Sequence, residues 1–381
     1  MEVFERVIVD EPVLYNFDGS INRAHMQAIW TWIARDLAPD LVESIEQALS
    51  ANKDANAFVK QLLPDLLSRI RAEMTAASSD PDRERRMTTQ LGGDEVRVRL
   101  PVVLNAMRCQ PLFDKADAFG KATNTITDEA ALATALQSMP LKEPKVAALL
   151  LHAVVGQSAS PVRLMAAVVH AAGSPKEVVI RQSGLGPVVD ACLAHAQNQL
   201  SAFGGQSGVF VDVDLMCKAV ARFHRLIRAI NGNVDLNQDS PWLKVIGGIT
   251  KQMARYLEPK LREVSADVSQ SLRRSREGPD KLDNDRLLAA LNGVYLLATV
   301  RDARESLALN TLFETLWAET GRNLETLIER NMDLFKRDPS DGNTAKRLDM
   351  AIKMAEVRFN PEYAEILRRA RDSAGKRGEA G

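Results

Sequence analysis

WLKVIGGITKQMARYLEPKLREVSADVSQSL, residues 242–272, decides the fold class. Trp242, Ile246, Ile249, Met253, Leu257, Leu261, Val264, Val268 and Leu272 recur at steps of three or four. Residues so spaced share one face of an α-helix, so all nine belong to a single apolar seam on one long helix. Lys251, Arg255, Lys260, Arg262 and Glu263 fall between them and mark the wetted side. The seam reads first as a core helix of a bundle and second as an intermolecular coiled coil.

The same period extends outward from this stretch. Before it, a helix is predicted from about Asp212 to Ile230, with Met216, Val220, Phe223, Ile227 and Ile230 inward and Asn231-Gly232-Asn233 ending it. After it come helices over about 283–302, 305–335, 343–357 and 361–372. Towards the N-terminus, Trp30, Ile33, Leu37, Leu41, Ile45 and Leu49 give a helix over about 22–50, which Pro39 kinks or splits. Phe58, Leu62, Leu66 and Ile70 give another over about 55–76, and the two read as a helical hairpin.

Between 127 and 203 the helices shorten. Ser160-Pro161, Ser174-Pro175 and Ser240-Pro241 each place a capping hydroxyl before a proline suited to a first helical turn. Glu177, three residues after Ser174, completes a capping box. Gly156, Gly173 and Gly184 are placed to close helices. The segments 143–156 and 160–173 read as a tight antiparallel hairpin that could bring His152 towards His170. No fixed period supports a helical solenoid.

Two segments have strand character. Residues 3–17 alternate loosely as far as the turn Asp18-Gly19-Ser20, and Glu95-Val96-Arg97-Val98-Arg99-Leu100 alternates strictly. The predicted fold class is therefore all-α, a multi-helix bundle or irregular helical-hairpin array with at most a minor β element near 3–9 and 95–100. The expected organisation is an N-terminal hairpin with leading arm (1–79), a charged linker around Pro81-Asp82-Arg83-Glu84-Arg85-Arg86 (80–94), a short-helix region (95–203), a long-helix bundle (204–372) and a mobile tail (373–381).

Composition narrows the function classes. The 381 residues are 45% apolar and 26% charged, which describes a folded globular chain. Net charge is −1, so no global field draws the chain to nucleic acid or to an anionic membrane. Only 5% of residues are aromatic, which disfavours stacking on single-stranded nucleic acid. Cys109, Cys192 and Cys217 are odd in number and far apart, arguing against a disulfide scaffold or zinc site and for a reducing compartment. With no signal-peptide pattern at the start and no apolar run of membrane-spanning length, the expected location is cytoplasmic.

No catalytic motif overlies the helical pattern. Gly184-Leu185-Gly186-Pro187-Val188-Val189 lacks the third glycine of a dinucleotide fingerprint. Gly204-Gly205-Gln206-Ser207-Gly208 lacks the Lys-Ser/Thr of a P-loop and reads as a flexible joint. His25, His152, His170, His195 and His224 contain no pair at metal-ligand spacing, so neither a metal nor another cofactor is expected. Cys192 and His195 sit three apart on an Ala-rich helix with nothing nearby to activate a thiolate. Arg273-Arg274-Ser275-Arg276 and Arg368-Arg369-Ala370-Arg371 fit the negative ends of helices.

The most suggestive polar cluster is Lys218, Arg222 and Arg225, with Arg228 at its edge. These residues align opposite the Phe223 and Ile227 stripe and form either a solvated face or a surface for phosphates or an acidic partner. The leading expectation is a non-catalytic scaffold or adaptor that binds protein partners through helical faces, with homo-oligomerisation open. The alternatives are nucleic-acid or phosphate binding through the basic helix face and, after that, an enzyme whose site is assembled from distant residues.

Overall fold

Burial of apolar faces at helical spacing organises the chain into seventeen α-helices and one two-stranded ribbon among the described residues. The computed structural model describes residues 2–50, 55–141, 143–204, 212–274 and 282–379, with side chains except at 2–3, 49, 55–60 and 377–379. Contacts divide it into two units, Met1–Ser201 with Arg225–Val245, and Ala202–His224 with Ile246–Gly381.

The first unit holds β1 (Ile8–Val9), β2 (Ile21–Asn22), α1 (Arg23–Trp32), α2 (Pro39–Ser50), α3 (Ala55–Ser79), α4 (Pro81–Leu91), α5 (Asp94–Arg108) and α6 (Gln110–Ala122). It continues through α7 (Glu129–Gln137), α8 (Pro144–Gln157), α9 (Pro161–Ala172), α10 (Glu177–Gln182) and α11 (Gly186–Asn198). Two long helices, α12 (Val213–Asn233) and α13 (Pro241–Ser271), contribute residues to both units. α14 (Asn284–Ala303), α15 (Asn310–Arg337), α16 (Gly342–Arg358) and α17 (Pro361–Glu379) belong to the second.

The deciding stretch is α13 followed by Leu272, and all nine seam residues are buried. The inward set of α12, Met216, Val220, Phe223, Ile227 and Ile230, is buried as well. Ser240 caps α13, its hydroxyl accepting the Leu243 N–H at 3.2 Å. Pro39 splits the first long helix: α1 passes through a π turn over Ile33–Leu37, and α2 starts at the proline.

Several sequence expectations change. Residues 94–108 are helix, not strand, and β1 pairs in parallel with β2. Val96 and Leu100, a step of four inside this segment, are buried together with Val103 three residues further on, and Val98 is left 65% exposed. The longer helical period outweighs the short alternation.

The charged segment 80–94 is not an extended linker, since most of it is α4. The Asp80 carboxylate accepts the N–H groups of Asp82 and Arg83, and a proline opens the first turn. Met87 and Leu91 are buried at a spacing of four, while Arg83 pairs with Glu73 of α3 at 2.6 Å and Arg97 of α5 pairs with Glu84 at 2.7 Å. High charge density here marks a wet helix face rather than a break.

The 143–156 and 160–173 helices exist, but they do not form a face-to-face hairpin. α8 packs on α6 and α11, whereas α9 packs on α7. Every residue of α8 from Ala147 to Val155 is buried, so it needs partners on more than one side. Gly156 lies inside α8, whereas Gly173 and Gly184 adopt left-handed conformations just after α9 and α10. The Ser174 capping box is not formed, because α10 starts only at Glu177.

α17 runs to Glu379, beyond the expected end at 372, so residues 373–379 are helix rather than a loose tail. Ala374 packs on the cluster of Met332, Phe335, Leu348, Ile352 and Ala364. The Arg368–Arg371 run therefore lies mid-helix. The inward placements of Leu49 and Phe58, the joint Gly205–Gly208, and Arg276 with Gly278-Pro279-Asp280 lie outside the described side chains or residues.

Candidate functional site

The basic stripe lies on α12. The Lys218 ammonium is bound to Asp214 one turn earlier at 2.5 Å, and this partner holds it above the usual lysine range. Arg225 and Arg228 are exposed and Arg222 is half-buried. Lys218 and Arg222 fall in one unit, Arg225 and Arg228 in the other.

The histidines serve the fold. His152 does not meet His170, which is exposed on α9; it packs beside His195, with ring centroids 5.6 Å apart. His152 Nε2–H donates to the Asp18 carbonyl at 3.1 Å, and His195 Nε2–H donates to the His152 carbonyl at 2.8 Å. These carbonyl partners set both tautomers. Burial, then the neighbouring His195, push His152 down to about 3. Cys192 is fully buried, and His195 spends its Nε2 on the His152 carbonyl. Among the described residues no group of three His, Cys, Asp or Glu side chains could hold a metal ion.

One carboxylate cluster is closed on itself. The Trp242 indole N–H donates to Asp190 at 2.7 Å, the Arg181 guanidinium lies 3.9 Å from the indole centroid, and Arg181 pairs with Glu177 at 2.9 Å. Burial raises the Asp190 carboxyl, while the Trp242 and Arg181 contacts oppose the rise. With its polar groups paired, the cluster locks α10, α11 and the start of α13.

A different surface is left open in the second unit. α14 is apolar nearly all round: Leu287, Ala290, Val294, Leu297 and Val300 are buried, yet Leu288 and Tyr295 are 47% and 49% exposed. They lie seven residues apart, hence along one side of the helix. Between them Asn292 lines a cleft of about 140 Å³ whose wall on α13 carries Lys260, Glu263 and Asp267. Burial, and then the Glu263 carboxylate one turn away, push the Asp267 carboxyl up, against the pull of Arg286.

Sequence reasoning placed this helix but assigned it no outward face. The signal was present in the doublets Leu287-Leu288 and Val294-Tyr295, each with one member buried and the other exposed. Adjacent apolar residues point about 100° apart on a helix, so one buried stripe cannot cover both. No described helix is long and apolar enough to cross a membrane. No family model, curated protein or solved structure matches this chain.

Proposed function

We propose that the chain is a non-catalytic helical scaffold or adaptor whose second unit receives one amphipathic helix of a protein partner along α14. The observation that carries this reading is the exposure of Leu288 and Tyr295 on a helix already buried along its other side. Partner helices present anchors at this spacing to apolar faces. Charge narrows the occupant. Glu263 and Asp267 stand one turn apart at the cleft, a like-charge spacing that is unfavourable on a helix. A basic residue beside the partner's apolar stripe would relieve that repulsion. The free thiols of Cys109, Cys192 and Cys217 support a reducing location such as the cytoplasm.

The test is a photo-crosslinking residue at Tyr295 in the full chain, followed by sequencing of the captured segment. The expected product is an amphipathic helix carrying a basic residue, lost in Leu288→Glu and weakened in Glu263→Lys/Asp267→Lys. A crosslink to the protein's own chain would replace the partner with a second copy. Capture unchanged by Leu288→Glu would refute the reading.

A further inference from the structure

We infer that Arg358, Arg301 and Trp317 form a binding site for a small phosphate-type oxyanion, separate from the α14 face. Trp317 lies on α15 and is half-buried. Arg358, in the last turn of α16, brings its guanidinium carbon to 3.7 Å from the indole centroid and lies 5.0 Å from the Phe359 ring. Arg301, near the end of α14, lies 5.2 Å from the same indole. Two guanidinium groups from two helices thus converge on one aromatic ring of a third.

The Arg358 seat is shaped for it. Nη2 donates to the Trp317 carbonyl at 2.6 Å, which fixes the plane of the guanidinium. Gly321 stands beneath: a Cβ there would lie 2.5 Å from Nη2 and 3.0 Å from the guanidinium carbon. A side chain at 321 would push the guanidinium off the indole.

Charge at the site is unbalanced. Arg301 has Asp302 at 2.9 Å. No carboxylate stands within ion-pair distance of Arg358 among the described residues, and its buried Nε has no hydrogen-bond partner. Glu325, one turn beyond Gly321 on α15, acts on Arg358 only at longer range. Burial, with the like charge of Arg301 offsetting part of the Glu325 attraction, lowers Arg358 to about 10. A half-buried guanidinium with a like-charged neighbour is stabilised by an incoming anion, and a planar fork suits phosphate oxygens.

The experiment is calorimetric titration of the full chain with inorganic phosphate at constant ionic strength, set by sodium chloride, with tryptophan emission recorded in parallel. The wild type is expected to bind saturably. Arg358→Gln and Arg301→Gln each weaken binding about tenfold or more, the size expected for loss of one charged hydrogen-bonding group. Gly321→Ala, which keeps both arginines but unseats one, weakens it too. Lys336→Gln, on the same helix and paired to Asp333, leaves it unchanged.

Glycerol phosphate forms a second arm: tighter binding than inorganic phosphate assigns the site to a phosphomonoester, and the reverse assigns it to the free ion. Non-saturable heats in the wild type would overturn the inference. So would equal affinity in Arg358→Gln, or equal loss in Lys336→Gln. If Arg358→Gln does not fold, Arg301→Gln and Gly321→Ala carry the same decision.

Discussion

Acidification from pH 7 to pH 5 is expected to destabilise the first unit through one residue, His152. The side chain is 1% exposed, sits beside the His195 ring, and gives its only described proton to the Asp18 carbonyl. Its native value is held down to about 3, against 6.5 for an ordinary histidine. The unfolded chain therefore takes up a proton that the native chain refuses as pH falls below about 6.5. Stability from this residue is full above that value and is lost progressively towards pH 3.

The greatest slope for one proton is about 1.4 kcal/mol per pH unit. Weighted by the titration of the unfolded histidine, the loss between pH 7 and pH 5 is about 2 kcal/mol. Urea unfolding at pH 7, 6 and 5, followed by tryptophan emission, measures it in the wild type and in His152→Gln. Glutamine keeps a donor for the Asp18 carbonyl and does not titrate, so other groups cancel in the comparison. The variant should lose about 2 kcal/mol less over the interval. Identical pH dependence in the two proteins, or an NMR titration placing His152 near 6.5, would refute the reasoning.

Other perturbations bear on the same frame. Gly19 has φ +81° and a Cβ there would lie 2.5 Å from the Ala148 carbonyl carbon, so Gly19→Ala combines left-handed strain with a backbone clash on α8. A loss of about 3 kcal/mol or more in chemical denaturation is expected, and a change below about 1 kcal/mol would show that the turn does not rest on α8. The buried Gln197 amide accepts the Leu14 and Tyr15 N–H groups and donates to the Tyr15 carbonyl. Gln197→Leu should cost about 2–3 kcal/mol and speed protease cleavage near residue 14, whereas unaltered cleavage would remove the clamp from the account. Trp242→Phe leaves the half-buried Asp190 carboxylate without its indole donor and should cost about 1–2 kcal/mol, easing as the pH is lowered and Asp190 protonates. A loss that grows on acidification would contradict that origin.

The helical class, the seam of α13 and the inward face of α12 follow from spacing alone, because a 3.6-residue period is a property of the chain and survives any choice of neighbours. Local punctuation was legible in part. Ser240 caps α13 and Pro39 begins α2, as their chemistry dictates. The strand expected at 95–100 and the linker expected at 80–94 failed because six residues of alternation, or a run of charges, also fit a helix, which buries Val96 and Leu100 in the first and Met87 and Leu91 in the second. Helix pairing was legible only in part: α2 packs on α3, as the hairpin reading expects. α8 meets α6 and α11 instead of its successor α9, since a helix buried on several sides can be satisfied by any apolar face of matching shape.

The same limit applies to function. Composition and motif reading singled out Lys218, Arg222, Arg225 and Arg228, and the structure pairs Lys218 with Asp214 one turn away. The two surfaces that now carry proposals depend on the packing of separate helices: α14, which exposes Leu288 and Tyr295 and shares a cleft with α13 through Asn292, and Arg301 with Arg358 around Trp317. Helical spacing along the chain was enough to place the inward residues of α12 and α13. Only the tertiary structure decided which outward residues stay uncovered and which charges stay unpaired, because exposure and pairing are set by neighbours distant in the chain.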